Sequence, residues 1–190
     1  MRRALLASAA THFAAHGFAG ANINQISVDA GFAKGTVYNY FSSKSALFEA
    51  VLLLGSARTV EDYRARAVRG DIRAHLLALA EADVALVQAH PAVMQTFVRQ
   101  LVAPDERTRD VLLAGLAPLV TETTAILRRG QGLGEVRRDR SPGRLATAFL
   151  GHLTMAYVQQ WLRPDPDWDG LAAEVVAQFL DGARVTRAPR

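Results

Sequence analysis

The sequence predicts an all-α protein of about nine helices, and two observations support this fold class. Apolar residues recur at intervals of three and four along almost the whole chain of 190 residues, without a sustained two-residue alternation that would indicate strands. The interruptions fall where glycine, proline and aspartate cluster, as is typical of turns between helices. We expect a small N-terminal helical domain, residues 1–50, and a larger helical domain, residues 51–190.

Three short helices with tight turns are predicted in the N-terminal domain. The first runs from Arg2 to His16 and ends at Gly17. The second begins after Asn22, a good N-cap residue with Gln25 three positions on, which forms an approximate capping box. The third is predicted over residues 34–41.

Six longer helices are predicted in the remainder of the chain. Ser42 and Ser43 can cap the fourth helix, and Ser141 followed by Pro142 is a strong start signal for the eighth. Pro118 lies inside the seventh predicted helix and removes one backbone donor there. The expected ranges are 44–68, 71–90, 91–103, 105–129, 142–163 and 171–182, with a loop over 130–141.

Composition excludes several classes of protein. The sequence has no cysteine, so disulfides, zinc–thiolate sites and thiol nucleophiles are excluded, in keeping with a reducing cytoplasm. We expect no secretory signal and no membrane span, since the longest apolar run, residues 50–54, is far too short to cross a bilayer. The protein is expected to be soluble and cytoplasmic.

The net charge of +4 does not by itself require a nucleic-acid partner. Its distribution is more informative, because the first 50 residues contain four basic and only two acidic side chains. The basic residues are Arg2, Arg3, Lys34 and Lys44, and the acidic ones are Asp29 and Glu49. A basic excess of this kind suits a surface that faces phosphates, although random surface charge would give the same count.

The stretch from Ile23 to Lys44 has the pattern of a helix-turn-helix. Two short helices are joined by a turn that contains Gly31, which can adopt a left-handed conformation. A small apolar core is expected to hold the pair at a fixed angle. Its members are Ile26, Ala30, Phe32, Val37 and Phe41.

The second helix of this pair carries an unusual exposed set. Val37 and Phe41 are four residues apart and share the inner face, so the other positions are expected to face outward. These side chains are polar or aromatic, with no acid among them, as in a helix that reads base edges in the major groove. The set comprises Lys34, Gly35, Thr36, Tyr38, Asn39 and Tyr40.

Residues 3–51 resemble the DNA-binding signature of the TetR family of bacterial transcriptional regulators. The resemblance has uninterrupted spacing and many matched positions. They are Gly17-Phe18, Ile26, Ala30-Gly31, Lys34-Gly35-Thr36-Val37-Tyr38, Tyr40-Phe41, Ser43-Lys44 and Leu47-Phe48. The rest of the chain is similar to the family only in length and helicity.

The sequence departs from the family pattern at a few positions. Ala21 stands where the family often has threonine, Ser27 where it usually has alanine, and Ala33 where serine is frequent. Asn39-Tyr40 replaces tyrosine-histidine or similar pairs. Because asparagine can pair bidentately with adenine, the Asn39 change is expected to alter the operator sequence without altering the docking mode.

The resemblance implies roles for individual residues. Tyr38 and Lys44 match the family's phosphate-binding positions, while Thr36, Asn39 and Tyr40 are candidates for base contacts. For both tyrosines the alternative is a half-buried aromatic that supports the first helix. The full set expected at DNA is Asn22, Ala33, Lys34, Gly35, Thr36, Tyr38, Asn39, Tyr40 and Lys44.

A catalytic or metal site has little support. Of the five histidines, His12 and His16 are four residues apart and could share a helical face, but no third ligand is obvious nearby. The sequence contains no phosphate loop, serine elbow or paired carboxylates that would indicate an enzyme. We therefore expect no cofactor, no metal and no catalytic residue.

The C-terminal domain is expected to bind a mostly apolar small molecule between its helices. The alternative for each of the apolar candidates is ordinary core packing; Arg99 is a candidate anchor for an acidic group, with plain surface exposure as its alternative. The candidates are Met94, Phe97, Arg99, Met155, Tyr157 and Trp161.

The eighth and ninth predicted helices are apolar on more than one face, which favours a second packing surface. The resemblance implies that these helices form a four-helix dimer interface, and the candidate residues are Leu150, Leu153, Val175, Val176 and Phe179. A symmetric homodimer implies a roughly palindromic operator on double-stranded DNA. The family further implies repression relieved when a ligand changes the spacing of the DNA-binding domains. The alternative function is a helical ligand-binding or interaction protein that has lost DNA binding.

Overall fold

The structure, a computed structural model, describes residues 1–102 and 109–183 and confirms the all-α fold class. Regular structure in these residues consists of eight α-helices and one 3₁₀ turn. The α-helices are α1 (Arg2–Gly20), α2 (Ile23–Asp29), α3 (Lys44–Ala65), α4 (Ile72–Ala89), α5 (Pro91–Val102), α6 (Arg109–Gly132), α7 (Pro142–Trp161) and α8 (Leu171–Ala183), and the 3₁₀ turn is Thr36–Asn39.

The third predicted helix is much shorter than expected. Gly35 adopts φ 81°, a left-handed conformation, so a helix beginning at Lys34 is interrupted at its second residue. Only the single 3₁₀ turn over Thr36–Asn39 follows. Gly17 also has a positive φ, of 70°, and breaks α1 at the predicted position, although helical structure resumes and continues to Gly20.

The chain forms two compact units. The first contains Met1–Arg58 and Leu86–Ala117, and the second contains Thr59–Ala85 and Pro118–Arg190. The boundaries fall inside α3, α4 and α6, and so differ from the division at residue 50, which was drawn where short helices give way to longer ones and stays a prediction.

Aromatic packing forms the centre of the first unit. The rings of Phe13 and Phe48 meet edge to face with centroids 5.0 Å apart, and Phe18 lies 5.3 Å from Phe48. Phe97 of α5 is buried in the same cluster, where α5 packs against α1. This core supports α2 and the segment that follows it.

The backbones of α3 and α6 approach each other closely within the first unit. A Cβ atom added at Gly115 would lie 2.5 Å from the Cβ of Leu52, so only glycine fits there. The Ser56 hydroxyl donates a short hydrogen bond to the Gly115 carbonyl. The contact explains a glycine inside a helix, where its backbone entropy is costly.

The second unit has a buried carboxyl at its centre. Asp83 of α4 accepts hydrogen bonds from the Thr59 hydroxyl of α3 at 2.9 Å and from the Tyr157 hydroxyl of α7 at 2.7 Å. Burial raises the pKa of Asp83, which the two hydroxyl donors offset in part. Burial and the neighbouring carboxyl also raise the pKa of Tyr157 well above its ordinary value. One acidic side chain thus joins three helices.

One stretch, Asp110–Gly132 in α6, is long and apolar enough to cross a membrane by length and composition alone. Core helices of soluble proteins satisfy the same two criteria, so this finding is weak. Within the stretch, Glu122 forms an ion pair with Arg64.

Candidate nucleic-acid interface

The start of α2 is capped as predicted. Asn22 is the N-cap, and its Oδ1 accepts the backbone N–H groups of Asn24 at 2.9 Å and Gln25 at 3.2 Å. The Gln25 side chain donates instead to Asp29 at 2.7 Å, so the cap is one-sided and not a reciprocal capping box. The side chain of Asn22, expected at DNA, is therefore already engaged by its own helix.

The turn after α2 reverses the chain through two backbone hydrogen bonds. Gly31 has φ 84°, as expected for the turn glycine, and donates its N–H to Val28 O at 2.9 Å. Phe32 N donates to Ser27 O, also at 2.9 Å. Phe32 packs on the apolar cluster beneath, which fixes where the next segment begins.

A buried serine holds that next segment. Ser27 is fully buried, and its Oγ accepts the backbone N–H of Val37 at 3.2 Å. Val37 is itself fully buried beside Ile26 and Phe41. In the sequence, Ser27 stands out only as a departure from the family pattern. Its position four residues after the buried Ile23, on the same face of α2, was the available signal, because a polar side chain on an inner helix face needs a partner.

We define the recognition segment as residues 33–41, which carry the predicted outward-facing set. The structure exposes Ala33, Lys34 and Asn39, together with Tyr38 at 56% and Tyr40 at 41% exposure, while Gly35 and Thr36 are half-buried. The exposure of Tyr38 argues against a supporting aromatic role. Tyr40 is exposed and also contacts the residue that precedes α1, since its hydroxyl lies 2.6 Å from Met1 Sδ.

Lys44, the predicted phosphate ligand, begins α3 and already has partners. Its Nζ donates to the Ala19 carbonyl at 2.8 Å and lies 5.2 Å from the centre of the Phe18 ring. Burial lowers the pKa of this ammonium group. The hydroxyl of Ser43 caps α3 by accepting the N–H of Ala46 at 3.0 Å, as predicted. An ammonium group has three donors, so Lys44 retains capacity for a phosphate.

The two histidines considered for metal binding belong to the contact between α1 and α2. His12 Nε2 lies 2.7 Å from Asp29 Oδ2, and the His16 ring is 5.9 Å from that of His12. The hydrogen bond from Gln25, followed by that from His12, lowers the pKa of Asp29. In the described ranges, no group of three metal-ligating side chains is found.

Three of the six candidate ligand residues belong to the first unit and three to the second. Met94 and Phe97 pack on the core of the first unit. Tyr157 is buried in the second unit and Trp161 is half-buried, whereas the side chain of Met155 is 56% exposed. The side chain of Arg99 lies outside the described residues. The ligand assignments remain predictions.

Three of the five candidate dimer residues are covered within the single chain. Leu153, Val175 and Val176 are buried, so they stabilise the protomer and have no free surface for a second copy. Leu150 and Phe179 are half-buried, and the Phe179 ring packs on Phe149 at 5.1 Å. Amphipathic pattern alone could not separate these two kinds of contact, since both require apolar side chains.

The exposed apolar side chains of α7 are not among the five candidate dimer residues. Met155 and Leu162, which just follows the helix and is 80% exposed, are separated by seven residues and therefore share one side. Gly151 and Thr147, also exposed, continue this surface toward the start of α7. We call these four residues the α7 outer face.

Comparisons with known proteins agree with this geometry. Residues 5–51 match the family model of the bacterial regulatory proteins of the tetR family. No curated protein sequence matches the chain. The match covers α1, α2, the recognition segment and the start of α3.

Solved structures share the fold over nearly the entire chain. The fatty acid degradation regulator FadR of Bacillus halodurans is 20% identical, with 97% of this chain and 100% of that chain covered and a TM-score of 0.82. FadR of Bacillus subtilis, solved with stearoyl-CoA, is 17% identical over 96% and 99%, with a TM-score of 0.83. A Shewanella sp. PV-4 protein assigned to the tetR family of transcription regulators is 22% identical over 97% and 98%, with a TM-score of 0.76. The N-terminal region therefore matches the tetR family model at the recognition segment, and the chain shares its fold with these solved structures.

Proposed function

We propose that this protein is a DNA-binding transcriptional regulator of the tetR type, and that it is a repressor that leaves its operator when a small, mostly apolar molecule binds. The observation that carries the DNA-binding part is the recognition segment. It exposes Lys34, Tyr38 and Asn39 while Val37 is anchored through its backbone to Ser27. A rigidly held turn with exposed donors and no acidic side chain meets the requirements for reading base edges between two phosphate strands.

The effector proposal rests on composition and on one structural neighbour. The C-terminal part of the chain is rich in apolar and aromatic side chains, and the similarly folded FadR of Bacillus subtilis has been solved with stearoyl-CoA. An effector of this regulator needs only to bind more tightly to the conformation that fits DNA less well. We propose that a long acyl chain supplies most of its binding energy.

The assembly is proposed to be a cytoplasmic homodimer without enzymatic activity. Two recognition segments related by a dyad would read a roughly palindromic operator. The α7 outer face, with Met155 and Leu162, supports this proposal better than the buried residues of the original prediction. Leu150 and Phe179, which are half-buried, would lie at its margin.

The test is selection of an operator from a random pool of duplexes, followed by titration with effector candidates. We expect an enriched sequence with inverted symmetry, bound by the dimer. Stearoyl-CoA should weaken binding to it, while coenzyme A alone should not. Enrichment without symmetry would contradict the dimeric arrangement, and an equal effect of both compounds would contradict the role of the acyl chain.

The competing function, an interaction protein without DNA binding, is distinguished by the same selection. It predicts no enrichment and no measurable affinity for duplex DNA at low salt. The exposed Lys34 and Tyr38 favour the regulator, because no buried contact in the described part of the chain requires either side chain.

A further inference from the structure

The first turn of α1 lies against the end of the recognition segment. Two contacts made by adjacent residues establish this arrangement. Met1 Sδ is 2.6 Å from the hydroxyl of Tyr40, and the guanidinium carbon of Arg2 lies 5.3 Å from the centre of the Phe41 ring. Phe41 is buried in the core of the unit, so Arg2 rests on a fixed platform.

The charge of Arg2 is not neutralised within this turn. Arg2 and Arg3 are both exposed, and the first turn of α1 contains no acidic residue. Neither arginine forms an ion pair in the part of the chain that the structure describes. Asp29 is the acidic residue of the helix-turn-helix, and its carboxylate already forms hydrogen bonds with His12 and Gln25. Arg2 therefore has a free cationic head at a defined place.

An arginine on an aromatic ring is suited to binding a phosphate. Contact through the face of the guanidinium plane leaves the N–H donors at its edge available, and they match two phosphate oxygens at once. Restriction of the side chain by the ring also reduces the rotamer entropy that binding would otherwise cost.

We propose that Arg2 binds a DNA phosphate on the wall of the groove that receives the recognition segment. This inference rests on the proposed DNA binding and adds a contact outside the nine residues predicted for it. The major groove is about 12 Å wide, so a segment that fills it has phosphates on both sides. Arg2 is held beside Tyr40 and Phe41, at the C-terminal end of that segment, where one of these phosphate strands passes.

The proposal is tested by measuring the affinity of the protein for one duplex across a salt series. The duplex has a fixed, arbitrary sequence of about 30 base pairs, which is three turns of B-DNA. Each phosphate contact releases counterions and contributes about 0.9 to the slope of log affinity against log salt. We expect Arg2→Gln to reduce the magnitude of the slope by about this amount for each bound protomer, or about 1.8 for a dimer. Arg2→Lys should retain the slope, because the charge remains, but with a higher Kd, because bidentate pairing and ring contact are weakened.

Two charge-matched variants are the controls. Arg3→Gln removes the same charge one residue away, and Arg163→Gln removes it from an exposed position in the second unit. Both should leave the slope near that of the wild type. Thermal melting should be nearly the same for all four variants, since each side chain is exposed and Arg2→Gln removes only a surface contact with the Phe41 ring.

The outcomes separate this proposal from the proposed function. If the wild type binds DNA and Arg2→Gln leaves the slope unchanged, the Arg2 contact is refuted. If Arg3→Gln lowers the slope as much as Arg2→Gln, general attraction by the charge of α1 replaces the specific contact, and the proposal fails. A wild type that binds no duplex at low salt would refute the DNA-binding function itself.

Discussion

The helix-turn-helix and the second unit use polar groups in opposite ways. Around the recognition segment, the hydroxyl of Ser27 holds the backbone of Val37, while the charged and aromatic side chains point to solvent. In the second unit a carboxyl is buried instead, and Asp83 joins α3, α4 and α7 through two hydroxyl donors. The first arrangement leaves polar groups exposed at the surface, whereas the second uses one to specify packing.

The difference matters for how substitutions act. A change on the recognition segment should alter binding and leave folding unaffected, because the side chains there make few contacts. A change among the buried residues of α7 and α8 should alter folding first, and any effect on assembly would follow from that. Four experiments test this division, taken in order of their expected effect on stability.

The largest effect is expected for a charge at a buried position of α8. Val176 is fully buried, so Val176→Asp should destabilise the fold by about 3 kcal/mol or more. Met155→Asp, at an exposed position, should leave the melting temperature of the protomer nearly unchanged and weaken dimerisation. Chemical denaturation and sedimentation velocity measure the two effects. A soluble, folded Val176→Asp monomer would show that Val176 is an interface residue after all.

The anchoring of the recognition segment is tested by Ser27→Ala. The buried N–H of Val37 then loses its acceptor, and we expect a loss of about 1–3 kcal/mol in unfolding free energy together with weaker operator binding. The matched control is Ser8→Ala. The Ser8 hydroxyl donates to Ile26 O, which keeps a second partner in Ala30 N, so its removal should cost less. Equal losses for both variants would contradict the special role of Ser27.

The buried carboxyl should produce a pH-dependent stability. The pKa of Asp83 is raised in the folded state, so the native protein holds this proton more tightly than the unfolded chain does. Stability should therefore fall as pH rises from the ordinary value of 3.8 through the raised pKa, and the penalty should stay constant above it. Asp83→Asn should abolish this dependence and gain stability relative to the wild type, on the order of 1 kcal/mol at neutral pH.

A second acid provides a control of opposite sign for Asp83. The hydrogen bond from Arg137 lowers the pKa of exposed Asp139, so its contribution is present above pH 3.8 and is lost as pH falls through the lowered value. Urea unfolding of Asp83→Asn and Asp139→Asn at a series of pH values measures the two opposite pH dependences of stability in one experiment. If Asp83→Asn loses stability relative to the wild type as pH rises, the ionised carboxylate is favoured in the fold and the interpretation is reversed.

The smallest effect on folding is expected at Asn39, although its effect on DNA binding is large. Asn39 is exposed, so Asn39→Ala should leave the melting temperature unchanged and weaken operator binding by about 1–3 kcal/mol without altering the salt slope. Lys44→Ala should weaken operator and random DNA alike and reduce the slope by about one for each bound protomer. The Ala19 contact adds a stability cost for Lys44→Ala that Asn39→Ala lacks. Equal loss of specific and non-specific binding in both variants would contradict the assignment of base and phosphate roles.

Local sequence features predicted much of the helix-turn-helix. The cap at Asn22, the left-handed Gly31 and the buried Val37 follow from short-range chemistry, because each depends on residues within a few positions. The third helix was predicted too long, because Val37 and Phe41 have helical spacing but the left-handed Gly35 interrupts the helix. Ser27, the anchor of the segment, was missed because its partner is a backbone group ten positions away.

For the C-terminal residues, local sequence features do not predict which side chains are buried. The apolar character of Leu153, Val175 and Met155 is plain from the sequence, but whether each faces the core or solvent depends on which helix packs beside it. Likewise, Asp83 lies 24 positions from Thr59 and 74 positions from Tyr157, so no local pattern could unite them. The sequence by itself determined the helices, the recognition segment and its exposed chemistry, since these arise from periodicity, caps and a glycine at the turn. Only the tertiary structure decided which apolar faces are already covered and where a buried charge finds its donors, because burial is a property of the packed neighbours and not of the residue.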